Sequence, residues 1–156
     1  MRGRFDRFDP RRKPAEPAEP EIVEEPFEID LPKVVAALHW DLAEWLGTDA
    51  LPKVFDRISG ALDEKFTSVV TTGQSVDRET LLGGLWSARN LQPGLEIEVS
   101  DVQEIARSGS VIVVRFVAEN QIGGAEVKRM ATGVIITDGR SYAWRSVHET
   151  PMPDGA

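Results

Sequence analysis

Arg140-Ser-Tyr-Ala-Trp-Arg-Ser-Val-His-Glu-Thr150 is the run on which the fold reading turns. Its period-two alternation predicts a strand with Tyr142, Trp144, Ser146 and His148 on one face, a set better suited to lining a pocket than to filling a core. A one-residue offset would put Ala143, Arg145, Val147 and Glu149 there instead. Asp138-Gly139, just ahead of it, is the strongest hairpin signal in the chain.

Working back from that strand, Ala125 to Thr137 reads as another strand, separated by Gly123-Gly124 from a strand over Ser110 to Gln121. Ser108-Gly109 marks a further turn, and Leu95, Ile97 and Val99 alternate with Glu96 and Glu98 in a strand reaching about Arg107. Four long strands joined by tight turns form an antiparallel meander. The first half has a different period. Val34, Val35, Leu38, Leu42, Trp45 and Leu46 recur at helical spacing from Leu31 to Gly47, with Pro32 in the first turn. A second helix follows with Thr48 or Asp49 as its cap and a stripe of Leu51, Val54, Phe55, Ile58 and Leu62. Phe66 to Thr71 is a short β-prone run, and Ser75 or Asp77 caps a third helix through about Asn90. Helices gathered on one side of such a sheet define an α+β architecture.

The chain has 156 residues, enough for one domain that buries a core without staples. Residues 1–13 carry six Arg and Lys against two Asp, and residues 14–30 carry seven acidic groups and no base. Pro-interrupted charge blocks of this kind bury too little apolar surface to offset ordering entropy, so residues 1–30 read as a disordered charged tail and residues 31–152 as the domain. The tail is either a solvated extension or an arm for an acidic partner, and Ile22, Val23, Phe27 and Ile29 could dock a short part of it. With no cysteine, a disulfide framework, thiolate zinc site or cysteine nucleophile is excluded. A net charge of −8 and a pI near 4.8 argue against a nucleic-acid surface. No signal-peptide pattern or membrane-length apolar run is present, and the expectation is a cytoplasmic protein that needs neither metal nor organic cofactor.

The order of elements, together with Glu64-Lys-Phe-Thr-Ser-Val-Val70, Gly73, Asp77-Arg78-Glu79, Arg129 and Trp144-Arg-Ser-Val-His-Glu-Thr150, resembles the nuclear transport factor two-like superfamily. That superfamily includes ketosteroid isomerase-like and SnoaL-like proteins, and the resemblance is nearest to its small bacterial branch and to kinase association domains. It implies a cone, in which a curved antiparallel sheet wraps three N-terminal helices around a central pocket, as in cystatin-like folds. It also implies frequent homodimers through the outer sheet face. It does not imply one activity, because the same cone hosts isomerases, cyclases, dehydratases and association modules.

Within that frame His148 is the candidate catalytic residue, an imidazole able to exchange protons near neutral pH. The alternative is a structural histidine bonded to a backbone carbonyl. Tyr142 and Trp144 would supply stacking area, with Ser146 beside them. Arg129 lies among Val127, Ala131, Gly133 and Ile135, so it must be paired or hold an anionic or carbonyl group. An ion pair with Glu119 or Glu149 is the better account. Asn120 lies with Ile112, Val114, Phe116 and Ala118 on the strand face opposite Arg115 and could reach the cavity mouth. Trp86, with Trp40 and Trp45, either roofs the cavity or packs in the core. His39 reads as a helix-surface or cavity-rim side chain. Asp101 and Glu104 are candidate general bases, but the donor pair and catalytic Asp of the isomerases have no convincing counterparts. Two functions follow: binding of a small, partly apolar molecule, with isomerase, cyclase or dehydratase chemistry as its enzymatic form, or a homodimeric association module with a plugged cone and a partner-recruiting tail.

Overall fold

The computed structural model describes residues 28–153. The elements run α1 (Leu31–Gly47), α2 (Pro52–Gly60), β1 (Leu62–Val69), β2 (Ser75–Asp77), α3 (Arg78–Ser87), β3 (Glu96–Ser108), β4 (Val111–Ile122), β5 (Ala125–Thr137) and β6 (Tyr142–Pro151). The expected tail lies outside the described residues as far as residue 27. Ile29, assigned to that tail from sequence, packs on the core, and Asp30 caps α1 by accepting from the Lys33 N–H at 3.2 Å.

The end of α1 is set by what abuts it. A Cβ on Gly47 would lie 2.9 Å from the Leu95 backbone nitrogen. The N–H groups of Asn90, Gln92 and Gly94 donate to the last carbonyls of α1, those of Trp45, Leu46 and Gly47, each at 2.9 Å. Asn90 takes a left-handed φ of 55° to do so, and α3 therefore stops at Ser87 rather than near Asn90. Thr48 does not cap α2 as expected: its hydroxyl donates back to the Glu44 carbonyl at 2.7 Å. Helix α2 starts at Pro52 without a side-chain cap, because proline's preset φ and missing N–H suit a first turn. Asp77 caps α3, accepting from the Thr80 N–H at 2.8 Å.

The fold is α+β, with six strands in the order β2-β1-β6-β5-β4-β3 and three helices against them. Strands β3 to β6 form the expected antiparallel meander. The sequence pattern did not reveal that β1 would pair with β6 in parallel, or that β2 would add an antiparallel edge to β1. Register shifts between Ser100 and Gln103 and between Glu104 and Ala106 bend β3, and Asp101 takes a positive φ of 53° in the first of them. The concave face presents Ile112, Val114, Phe116, Ala118, Ala131, Ile135 and Trp144 to Val34, Val35, Leu38 and Trp45 of α1 and to Val54 and Ile58 of α2. Among the described residues, no helix is long and apolar enough to cross a membrane.

Candidate functional site

A bulge in β6 decides what lines the interior. Val134 pairs with Ser146 and Ile135 with Trp144, so Arg145 is an extra residue on the β6 side. Trp144 points inward before the bulge, and Val147, 8% exposed, points inward after it. The single inserted residue inverts the alternation, so Tyr142 and Trp144 no longer share a face with Ser146 and His148. The backbone N–H of Trp144 donates to the Ala61 carbonyl at 2.8 Å and the Arg145 guanidinium to the Lys65 carbonyl at 2.6 Å, which ties the bulge to β1 and the residue before it.

Beyond the bulge, a partly enclosed cavity of about 180 Å³ lies between the sheet and all three helices. Leu38, Leu42 and Leu46 of α1, Ile58 of α2, and Leu81 and Leu85 of α3 make its helical wall. Leu62 and Phe66 of β1, Ile97 of β3 and Val147 of β6 make its sheet wall. Five polar side chains converge on this apolar space: His39, Ser68, Asn120, Arg129 and Glu149. Helix α3 is held over the cavity at its start, where Arg78 donates to the carbonyl and hydroxyl oxygens of Ser59 at 2.8 and 3.1 Å.

The charged part is a three-residue network. Arg129 Nε donates to Glu149 Oε2 at 2.9 Å, and its Nη1 donates to Asn120 Oδ1 at 2.8 Å. The two ionic side chains are 14% and 20% exposed, so this is the structural ion pair expected for Arg129, with Glu149 as the partner. Nη2 makes no hydrogen bond among the described residues, which leaves guanidinium donors for another acceptor.

His39 is the second polar feature. Only 3% exposed, it sends Nδ1 to within 2.8 Å of the Val35 carbonyl and sets its ring edge-on to Phe116 at 5.2 Å. Burial is the main cause that lowers its pKa to about 4; the bond to Val35 opposes this, and the positive charge of Arg129 adds to it. His39 is therefore neutral at physiological pH. Among the described residues, no group of three or more His, Cys, Asp and Glu side chains is placed to hold a metal ion.

No protein-family model matches the chain, and no curated protein matches it. Solved structures do. A nuclear transport factor two-like protein of unknown function from Pseudomonas aeruginosa superposes with a TM-score of 0.74 at 22% identity, over 78% of this chain and 98% of that one. The chain has the nuclear transport factor two-like fold. A candidate association domain of calcium/calmodulin-dependent protein kinase type II from Thiobacillus denitrificans shares the cone with a TM-score of 0.63 and 15% identity, over 83% and 100% of the two chains. The beta subunit of benzoate 1,2-dioxygenase from Burkholderia mallei shares it at 0.60 and 13%, over 80% and 92%. At such identities the likeness carries the cone and no activity.

Of the residues singled out from sequence, the cone brings Arg129 and Asn120 into the cavity. Trp144 is fully buried in the core beside it, edge-on to Phe116 at 6.2 Å, and its indole N–H has no hydrogen-bond partner among the described residues. Tyr142 sits between two shallow surface depressions, one with Ile29, Lys33 and Ala37 and the other with Ser110, Ile136 and Asp138. Burial, then the nearby Asp41 carboxylate, raises its pKa. Ser146 is half-buried at the bulge, and His148 is exposed, paired across the sheet with Thr132 and Val69. Trp86 is 55% exposed and stacks on Trp45 at 5.5 Å, outside the cavity. Sequence reasoning left His39 at the surface or rim, although its spacing from Val35 and Leu42 placed it on the apolar stripe of α1. Ser68, on the inward face of β1, carried no comparable signal.

Proposed function

We propose that this cone binds a small, partly apolar, uncharged molecule whose carbonyl or equivalent acceptor meets Arg129. The observation that carries the reading is the apolar cavity with one neutralised ion pair and guanidinium donors that no described residue uses. Charge selects the ligand. Glu149 already balances Arg129, so an added carboxylate would set two anions against one cation in a poorly solvated space. Size selects it too. An apolar cavity of ~150 Å³ accommodates benzene, so a space of about 180 Å³ suits a single substituted ring or its aliphatic equivalent. An open cavity also favours ligand binding over the association module, which calls for a cone plugged by side chains. Should the ligand be a substrate of a cofactor-independent isomerase, cyclase or dehydratase, Glu149 is the carboxylate in the cavity placed to accept a proton.

The outer sheet face supports homodimerisation as a companion property. Val111 opposite Ile136, Val113 opposite Val134, and Val117 opposite Met130 form three apolar cross-strand pairs on the face turned away from the helices. Val117 is only 8% exposed yet lies outside the core cluster, whereas Val111 and Met130 are each 38% exposed.

The test is an amide-shift titration of the full chain with benzaldehyde, cyclohexanone, toluene and benzoate. The carbonyl probes should move resonances of α1, α3, β5 and β6 around the cavity, benzoate should bind more weakly than benzaldehyde, and Val147→Phe should abolish the effect by filling the space. Carbonyl probes that leave those resonances unmoved, or that bind Val147→Phe equally well, would remove the proposal.

A further inference from the structure

His39 has one ring nitrogen committed and one free. A carbonyl oxygen only accepts, so the proton between His39 and Val35 sits on Nδ1, and the neutral ring must carry a bare lone pair on Nε2. Nε2 has no hydrogen-bond partner among the described residues, although the residue is 3% exposed and lines the cavity. The ring cannot turn to solvent without losing both the 2.8 Å bond to Val35 and its edge-on packing against Phe116. An unpartnered acceptor on a side chain held in this way against the cavity calls for a donor, and water or a ligand can bring one there. The charged groups facing the same space do not supply it: Arg129 directs Nε to Glu149 and Nη1 to Asn120 and makes no hydrogen bond to His39, and Glu149 has no proton to give while so paired.

We propose that His39 Nε2 is the specificity-determining contact of the cavity, selecting ligands that carry a hydroxyl or N–H donor in addition to the acceptor that meets Arg129. This rests on the ligand-binding reading above and narrows it to small neutral hydroxy-carbonyl or amide compounds. The apolar walls around the lone pair sharpen the selection, because a ligand lacking the donor leaves a desolvated acceptor unpaired. His39 acts here as an acceptor and not as a base, since so low a pKa makes the imidazole a weak proton acceptor.

The experiment compares benzaldehyde with its three hydroxy isomers by titration calorimetry, at a mildly acidic pH where the phenol stays protonated. It uses the full chain, His39→Phe and His39→Gln. Phenylalanine keeps a ring against Phe116 but has no lone pair, and glutamine restores an acceptor oxygen. At least one hydroxybenzaldehyde should bind about tenfold more tightly than benzaldehyde to the native chain. His39→Phe should erase that ratio while retaining benzaldehyde, and His39→Gln should recover part of it. The ¹⁵N resonance of Nε2 in the native protein, which needs no variant to fold, should shift on binding the favoured isomer and stay put with benzaldehyde. Benzaldehyde binding without a hydroxyl advantage, an equal advantage in His39→Phe, or an unmoved Nε2 resonance overturns the role of His39 alone. Failure of every probe to bind overturns the ligand-binding reading and this inference together.

Discussion

The buried imidazole of His39 should make the stability of this protein rise with pH across the mildly acidic range. Its pKa is about 4 in the folded chain, against 6.5 for an unperturbed histidine. Between those values the unfolded chain binds a proton that the folded chain refuses. Stability from this residue is therefore fully present above pH 6.5 and is lost as the pH falls toward 4. At ~1.4 kcal/mol per pKa unit, the whole effect is about 3 kcal/mol, of which about 1 kcal/mol is lost between neutral pH and pH 5.5. That upper part of the window lies above the pI near 4.8, where net charge keeps the protein in solution. Urea denaturation of the native chain and of His39→Phe at several pH values isolates the residue, because every other titrating group is common to both. The stability difference between them should shift in favour of the variant by about 1 kcal/mol as the pH is lowered to 5.5. A pH-independent difference would mean that the imidazole is hydrated or protonated in the fold, and the reasoning from burial would fail.

Gly133→Ala should destabilise the domain by about 1–3 kcal/mol in urea denaturation, since the added Cβ would lie 2.5 Å from Trp144 Cζ3; an unchanged midpoint would show that the indole moves freely. Arg129→Met should cost about 2 kcal/mol by leaving the Glu149 carboxylate unpaired, and adding Glu149→Leu should restore part of it; strict additivity of the two changes would deny their coupling. Val134→Lys should abolish the homodimer proposed for the outer sheet face and leave a folded monomer in sedimentation equilibrium, because it puts a charge at the centre of the outer apolar pairs; a native chain that is already monomeric sinks that expectation.

Much of the architecture was legible because it is local. Helical spacing from Leu31 to Gly47, the Asp77 cap and the hairpin signals at Gly123-Gly124 and Asp138-Gly139 depend on residues a few positions apart. The need of Arg129 for a partner was legible too, because an arginine among Ala131, Gly133 and Ile135 cannot stay unpaired. The parallel pairing of β1 with β6 was not legible, since Leu62 and Trp144 meet across most of the domain without a turn to announce it. The misplaced caps of α2 and the early stop of α3 have the same origin: Thr48 and Asn90 are recruited by the end of α1, a tertiary neighbour in the second case.

The sequence by itself determined the three helices and the four strands of the meander, their order, the α+β class and the charge that must be neutralised inside, but not the edge strand β2 or the start of β1 at Leu62, which helical spacing assigned to the second helix. Only the tertiary structure decided which side chains face the cavity. Alternation along a strand gives two faces but not which one is inward, and the extra residue at Arg145 exchanges them midway, taking His148 out and bringing Val147 and Glu149 in. His39 acquired its neutral Nε2, without a hydrogen-bond partner among the described residues, in the same way. Its burial depends on Phe116 from β4 and its field on Arg129 from β5, and neither neighbour can be read from the helix that carries it.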